Sequence, residues 1–276
     1  MITHPIAKVN LGLNVVERRN DGYHNLETVF YPVPISDTLE VNIVTANDTQ
    51  EYDCQLTLKG MSIEGDSQKN LIVKAYELLK ADYPHMPRVR AILDKCIPTQ
   101  AGMGGGSSDG AYMLCMLNQL CELGLNKSQL IGYATRLGAD CAFFIDPLPQ
   151  YAEGIGERLQ PITLQLKGWH FAVVRPDIPV STREAFALVT PQKPERCCYD
   201  IVKQPVETWR EQLVNDFEAS VFAQHPEIGH VKQQLYDMGA VYAAMSGSGS
   251  ALFALFRQQP PVQQSFPNMF TYTTLL

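Results

Sequence analysis

The chain has 276 residues, 45% of them hydrophobic and 18% charged, which is enough for one large core or two modest ones. A formal net charge of −7, with neither a basic tail nor a Lys/Arg stripe, argues against nonspecific binding to nucleic acid or to an anionic membrane. The seven cysteines are odd in number and form no Cys-x-x-Cys pair, so a disulfide framework is not expected and a reducing cytoplasm is.

Residues 5–16 alternate, with Ala7, Val9, Leu11, Leu13 and Val15 on one face and Lys8, Asn10, Gly12 and Asn14 on the other. A strand with one apolar core face is predicted, from which Lys8 and Asn10 project on the same side, roughly 7 Å apart. Further strands are predicted at 27–33, 39–45 and 54–58, with polar loops at 46–53 and 60–69. Helical spacing follows at Leu71, Ala75, Leu78 and Leu79, and 88–95 alternates like a half-buried strand. After the run Gly102-Met103-Gly104-Gly105-Gly106-Ser107-Ser108, residues 111–117 are apolar and helix-competent. Leu130, Ile131, Ala134 and Leu137 mark another helix, opened by an Asn126/Gln129 capping box and stopped by Gly138. Asp140 and a short apolar run, 141–145, come next; Pro147 and Pro149 then break the pattern.

In the remainder, a strand is predicted at 169–175, a helix near 182–189, a proline-marked loop at 190–206, and helices at 207–224 and 227–238. Strands at 241–245 and 251–256 flank the small-residue turn Ser246-Gly247-Ser248-Gly249-Ser250. Strands mixed with helices in both halves predict an α+β protein of two lobes, divided near residue 155. Cys96, Cys115 and Cys121 lie in apolar surroundings and read as core. No secretory or membrane-spanning stretch is evident, and with no transit-type segment a bacterial cytoplasm is the expected location.

The glycine run is the first pointer to chemistry. Glycines let several backbone N–H groups converge, and a following helix aims its positive dipole end at the same point, which suits phosphate. A P-loop is excluded because no lysine follows Gly106, and a dinucleotide fingerprint because its third glycine is missing. Ser107 or Ser108 can cap the helix, contact phosphate or ligate Mg²⁺; the sequence leaves these three roles open.

Three motifs, Ala7-Lys8-Val9-Asn10-Leu11, the segment from Pro98 to Ser108 and the 246–250 turn, together resemble the GHMP kinase superfamily. Asp21-Gly22-Tyr23-His24, Leu137-Gly138-Ala139-Asp140 and Ala152-Glu153-Gly154-Ile155-Gly156-Glu157 are similar, within it, to the 4-diphosphocytidyl-2-C-methyl-D-erythritol kinase family. The resemblance implies ATP-dependent phosphorylation of the substrate's 2-hydroxyl in non-mevalonate isoprenoid biosynthesis, with ATP carried as its Mg²⁺ complex. It implies an N-terminal ribosomal-protein-S5-like lobe (1–155) that binds ATP and a ferredoxin-like substrate-side lobe (156–276), with the active site between them.

By the same resemblance Lys8 and Asp140 are the catalytic pair, and Asn10 holds the erythritol part. Tyr23 stacks on the cytosine with Phe186 on its other side, His24 hydrogen-bonds the base, and Thr182 contacts the diphosphocytidyl or erythritol portion. ATP falls to Asn70 and Lys95 at the adenine end and to Pro98, Gly102, Met103, Gly104, Gly105, Gly106, Ser107 and Ser108; Ser246, Gly247, Ser248 and Gly249 wall the cleft. The chemistry agrees: phosphoryl transfer needs positioning, charge neutralisation and an oriented hydroxyl, which a carboxylate and an ammonium supply. Partners implied are ATP and the cytidine diphosphate substrate, with no nucleic acid or membrane, in a monomer or weak homodimer.

Rival readings are another GHMP kinase acting on homoserine, mevalonate or a sugar, which has no use for a cytosine site at Tyr23, His24 and Phe186, and a non-catalytic ligand- or RNA-binding module, which has no use for the Lys8 and Asp140 pair. Asp109 stands where the family commonly has asparagine, and its charge is expected to oppose a bound triphosphate. Gly110 is expected to weaken the same helical turn by about 1 kcal/mol relative to Ala.

Overall fold

The computed structural model describes residues 1–44, 51–63 and 65–276; residues 45–50 of the expected 39–45 strand and 46–53 loop, and position 64 in the 60–69 loop, lie outside them. The strands are β1 (Ile2–Thr3), β2 (Ile6–Arg18), β3 (His24–Ser36), β4 (Thr38–Ile43), β5 (Cys54–Gly60), β6 (Val89–Lys95), β7 (Gln150–Gly154), β8 (Arg158–Pro161), β9 (His170–Arg175), β10 (Tyr242–Met245), β11 (Leu252–Phe256) and β12 (Phe270–Leu275). The helices are α1 (Leu71–Asp82), α2 (Gly105–Leu120), α3 (Lys127–Leu137), α4 (Thr182–Phe186), α5 (Cys198–Ile201), α6 (Phe217–Gln224), α7 (Pro226–Asp237) and α8 (Val262–Ser265). The α+β content matches the sequence reading. The chain forms two compact units that interleave along it, where one boundary near 155 was the expectation.

One unit comprises residues 1–7, 32–99 and 104–147. Its sheet has the order β1-β4-β6-β5, antiparallel except for β5 and β6, which run parallel because α1 supplies the crossover between them. Leu39, Val41, Ala91 and Leu93 turn inward from the sheet, and Ile72, Leu79, Leu114 and Leu117 from the helices. Gly110 lets the helices close up: a Cβ there would stand 2.9 Å from both Leu71 and Leu137. The glycine that costs helix propensity therefore serves the packing of α1, α2 and α3. In β6 the inward set is Val89, Ala91, Leu93 and Lys95, so a lysine occupies an apolar register position.

The other unit comprises residues 8–31, 100–103 and 148–276. Its sheet β10-β11-β9-β12 is antiparallel throughout and is backed by α6 and α7, with Val174, Ala254, Val221, Ile228 and Leu235 in the core. A second sheet has the order β2-β3-β7-β8. The expectation of one buried face on β2 is corrected: Lys8, Asn10 and Asn14 are as buried as the apolar residues between them.

The predicted 207–224 helix starts only at Phe217. Before it the chain runs beside β2, Leu13 N donating to Val214 O (2.9 Å) and Asp216 N to Leu13 O (2.8 Å). The Asn215 and Asp216 side chains bond backbone groups themselves, which competes with helix. The expected 190–206 loop contains α5, and β7, β8 and β12 are not among the predicted strands, although Phe270, Tyr272 and the threonines of β12 do alternate. All seven cysteines are free, but Cys96 is exposed and Cys115 and Cys121 are half-buried; the fully buried ones are Cys54, Cys141 and Cys198.

Candidate active site

Residues 96–104 join β6 to α2. Gly102 and Gly104 take φ of +71° and +70°, a left-handed backbone that side chains disfavour. Gly104 is the N-cap of α2 and no side chain caps this end, so the first N–H groups of a 16-residue helix are left for a ligand. Of the three roles open to the serines, capping is therefore ruled out. Ser108 Oγ is buried with no hydrogen-bond partner, and Gly106 is exposed, with open space where a Cβ would stand. Pro98 and Met103 are buried and shape the loop from within.

Beneath the loop lies a charged triad. Lys95 Nζ pairs with Asp37 Oδ2 and with Asp109 Oδ2 (2.9 Å), while Asp37 Oδ1 accepts Cys96 N (2.6 Å) and Ile97 N (2.7 Å). All three side chains are almost wholly buried. Burial pushes the Asp109 carboxyl up to about 7, outweighing the pull of Lys95, and the Asp37 charge pushes it the same way. One ammonium serves two carboxylates. The expectation that Asp109 confronts the phosphate is corrected: its ion-paired oxygen turns inward to Lys95. The ammonium of Lys95, expected near adenine, is committed to the carboxylates. A Cβ on Gly105 would meet it at 2.8 Å.

Asn70 N-caps α1, its Oδ1 accepting Ile72 N (2.9 Å). Asp140 heads the 3-10 turn Cys141–Ile145, which packs on α2, and makes no capping bond of its own there. The Ser107 hydroxyl reaches the thiol of Cys141, a group that burial pushes up to about 12. Asp140 therefore stands beside the serine end of the glycine run.

In the other unit, Lys8 Nζ donates to Asn10 Oδ1 (2.6 Å) and to Gly102 O (3.1 Å) and lies 5.0 Å from the Phe30 ring centroid. Asn10 Nδ2 donates to Thr28 Oγ1 (2.9 Å), which itself donates to Gly12 O (2.5 Å). Ser246 Oγ donates to Gly102 O (2.8 Å) and accepts Asn10 N (3.3 Å). Gly102 and the 246–249 turn approach so closely that a Cβ on Gly102 would fall 1.8 Å from Ser246 O. Gly247 packs against Gly102 and Gly249 against Met245, and Ser248 is half-buried. Residues distant in sequence, Lys8, Asn10, Gly102 and Ser246, are thus one hydrogen-bonded cluster.

His24 and Phe186 stack, ring centroids 4.5 Å apart and planes 19° apart, with Phe217 edge-on to Phe186 at 4.7 Å. Tyr23 is 61% exposed, on a turn where Tyr23 N donates to Asp21 Oδ1 (3.1 Å) and Gly22 has φ of +87°. The ring facing Phe186 is that of His24; the resemblance set the cytosine between Tyr23 and Phe186, with His24 hydrogen-bonded to it. Burial, aided by Arg18, holds the His24 pKa below its usual value and so favours the neutral imidazole, which offers one donor and one acceptor. Thr182 is exposed at the first position of α4, after a Ser181–Glu184 capping box.

Sequence reasoning missed Thr28 and Asn215. Both are buried and polar, and neither lies in a motif; for Asn215 the one signal was its position in an Asn-Asp pair inside a supposed helix.

Residues 70–146 match the GHMP kinases N terminal domain and 199–268 the GHMP kinases C terminal domain. A 4-diphosphocytidyl-2-C-methyl-D-erythritol kinase of Bacteroides thetaiotaomicron is 51% identical over 94% of this chain and 93% of its own length. One from Bacteroides fragilis is 48% identical over the whole of both chains. Among solved structures, a 4-(cytidine 5'-diphospho)-2C-methyl-D-erythritol kinase superimposes with a TM-score of 0.81 at 31% identity, covering 99% of this chain and 98% of the other. A homoserine kinase from Cytophaga hutchinsonii, 14% identical with a TM-score of 0.66 over 98% and 93% of the two chains, shares the fold.

Proposed function

The chain belongs to the 4-diphosphocytidyl-2-C-methyl-D-erythritol kinase family of GHMP kinases, and from that membership we propose that it phosphorylates the 2-hydroxyl of this cytidyl substrate, in non-mevalonate isoprenoid biosynthesis. It is an ATP-dependent small-molecule kinase. The substrate oxygen attacks the γ-phosphorus of ATP, the bond to the β–γ bridging oxygen breaks, and ADP leaves. Asp140 accepts the hydroxyl proton, and the Lys8 ammonium offsets the negative charge that builds on the reacting oxygens.

In this reading the uncapped N-terminus of α2 binds the triphosphate, with Pro98 and Met103 shaping its loop and Asn70 on the adenine side, while Lys95 acts from below through its two carboxylates. Mg²⁺ fits the same place: Ser107 and Ser108 offer hard hydroxyl oxygens, and that of Ser108 lacks any other partner. The ion would neutralise phosphate charge. Asn10 and the 246–249 turn hold the erythritol side, and His24, Phe186, Tyr23 and Thr182 the cytidyl side. ATP binding is assigned to residues within 1–155; substrate contacts come from both halves, Asn10, Tyr23 and His24 from the first and Thr182, Phe186 and the 246–249 turn from 156–276.

The observation that carries this reading is the buried Lys8 ammonium, which Asn10 and the carbonyl of Gly102, the first loop glycine, hold together. No helix among the described residues is long and apolar enough to cross a membrane. A cytoplasmic monomer or weak homodimer without nucleic-acid partners completes the proposal, in keeping with the net charge of −7. The test is ADP release measured with the cytidyl substrate beside mevalonate, homoserine and galactose. Release confined to the cytidyl substrate is expected; release with one of the others instead would overturn the assignment.

A further inference from the structure

Asn215 is 2% exposed, and every polar atom of its side chain is used. Its Nδ2 donates to Met245 O (2.7 Å) and to Gly247 O (2.8 Å), and its Oδ1 accepts Phe217 N (3.0 Å). The two carbonyls it grips lie on either side of Ser246. Asn215 is in turn fastened to β2: its neighbours exchange backbone bonds with Leu13, and Asp216 Oδ2 accepts Val15 N (2.8 Å). The same strand carries Lys8 and Asn10. Only an amide of this length supplies two donors and an acceptor from one short side chain. An aspartate has the shape without the donors.

We propose that Asn215 is a positioning residue for phosphoryl transfer, tying the Ser246 turn to β2 and so fixing where Ser246 Oγ and Gly102 O meet Lys8 and Asn10. It touches neither substrate nor the reacting atoms; it acts through Ser246, whose hydroxyl bridges Asn10 N and Gly102 O. The inference rests on the kinase reading above, in which Lys8 meets the reacting oxygens and Asn10 and the 246–249 turn hold the erythritol side of the substrate. A displacement of about 1 Å at such a cluster costs on the order of 100-fold in rate.

The experiment measures kcat by ADP release from ATP and the cytidyl substrate for N215A, N215D, S246A and N215A/S246A, with circular dichroism to count the folded fraction. N215A and N215D are each expected to lose about 10- to 100-fold in kcat per folded molecule at about pH 8. N215D should then regain activity relative to wild type as pH falls, because its buried carboxyl, once protonated, donates again. N215A should show no such recovery, and the double variant should fall no more than about twofold below the weaker single one. An N215D variant as active as wild type at high pH, a pH profile shared with N215A, or fully multiplicative losses in the double variant would overturn the inference while leaving the kinase reading intact. S246A at wild-type kcat would remove the turn from the reaction, and with it both the inference and that part of the proposed site. Absence of ADP release in the wild type would refute the kinase reading itself.

Discussion

His24 lies flat on Phe186 at 4.5 Å, and Phe186 is braced edge-on by Phe217. In the proposed reading Phe186 is one of the rings that the cytosine meets. Phe186→Ala should therefore raise KM for the cytidyl substrate about 10-fold or more, since stacking is worth roughly 1–3 kcal/mol per base, and leave KM for ATP near its wild-type value. Steady-state kinetics with each substrate varied in turn decides it. An effect on ATP alone contradicts the role.

Asp140→Asn keeps the shape of the side chain and removes the carboxylate proposed to take the hydroxyl proton. Turnover should drop by roughly 10²–10⁴-fold, with nucleotide affinity, measured by calorimetry, close to unchanged. Near-normal turnover rejects the assignment of the proton to this carboxylate.

Gly102→Ala asks for two things the backbone refuses: a side chain at φ +71° and a Cβ 1.8 Å from Ser246 O. The loop and the turn must part, so the variant should lose both activity and several degrees of Tm. Gly106→Ala, with open space around it, is the control, and its Tm should stay within about a degree or two of wild type.

Asp109→Asn should stabilise the protein at alkaline pH. Folding raises this carboxyl from its ordinary 3.8 to about 7, so the fold favours the protonated form. Its contribution is fully favourable below 3.8, is lost progressively as pH rises through about 7, and is at its worst above that. The amide carries no charge to desolvate, and Lys95 keeps Asp37 as its partner. Thermal melts should show the variant several degrees above wild type near pH 8 and no better near pH 4. A constant difference across pH would show that the Asp109 proton is not involved.

Local pattern carried much of the site. Lys8 and Asn10 were legible as neighbours because a strand repeats every second residue, and the glycine run because strand, glycines and helix follow in order. What stayed hidden was set by tertiary partners. The alternation placed Lys95 on the inward face with Val89, Ala91 and Leu93, yet nothing local announced the two carboxylates, 58 and 14 residues away, that make this tolerable. The resemblance gave Tyr23 the stacking role and His24 a hydrogen bond, but nothing local announced that His24 packs against Phe186 while Tyr23, after the turn at Gly22, is exposed. The non-helical course at 210–216 depends on β2, some 200 residues earlier, offering Leu13 and Val15 as backbone partners.

The bond from Asn10 N to Ser246 Oγ joins positions 236 apart in the chain. A chimera assembled from two relatives with a crossover at residue 155 would inherit Asn10 from one parent and Ser246, with Asn215, from the other. Such hybrids should work only where the parents agree at that distant seam, however well each half is folded. Recombination within this family is thereby limited by the interleaving of the two units, and swaps that carry both ends of the chain together are the ones expected to survive.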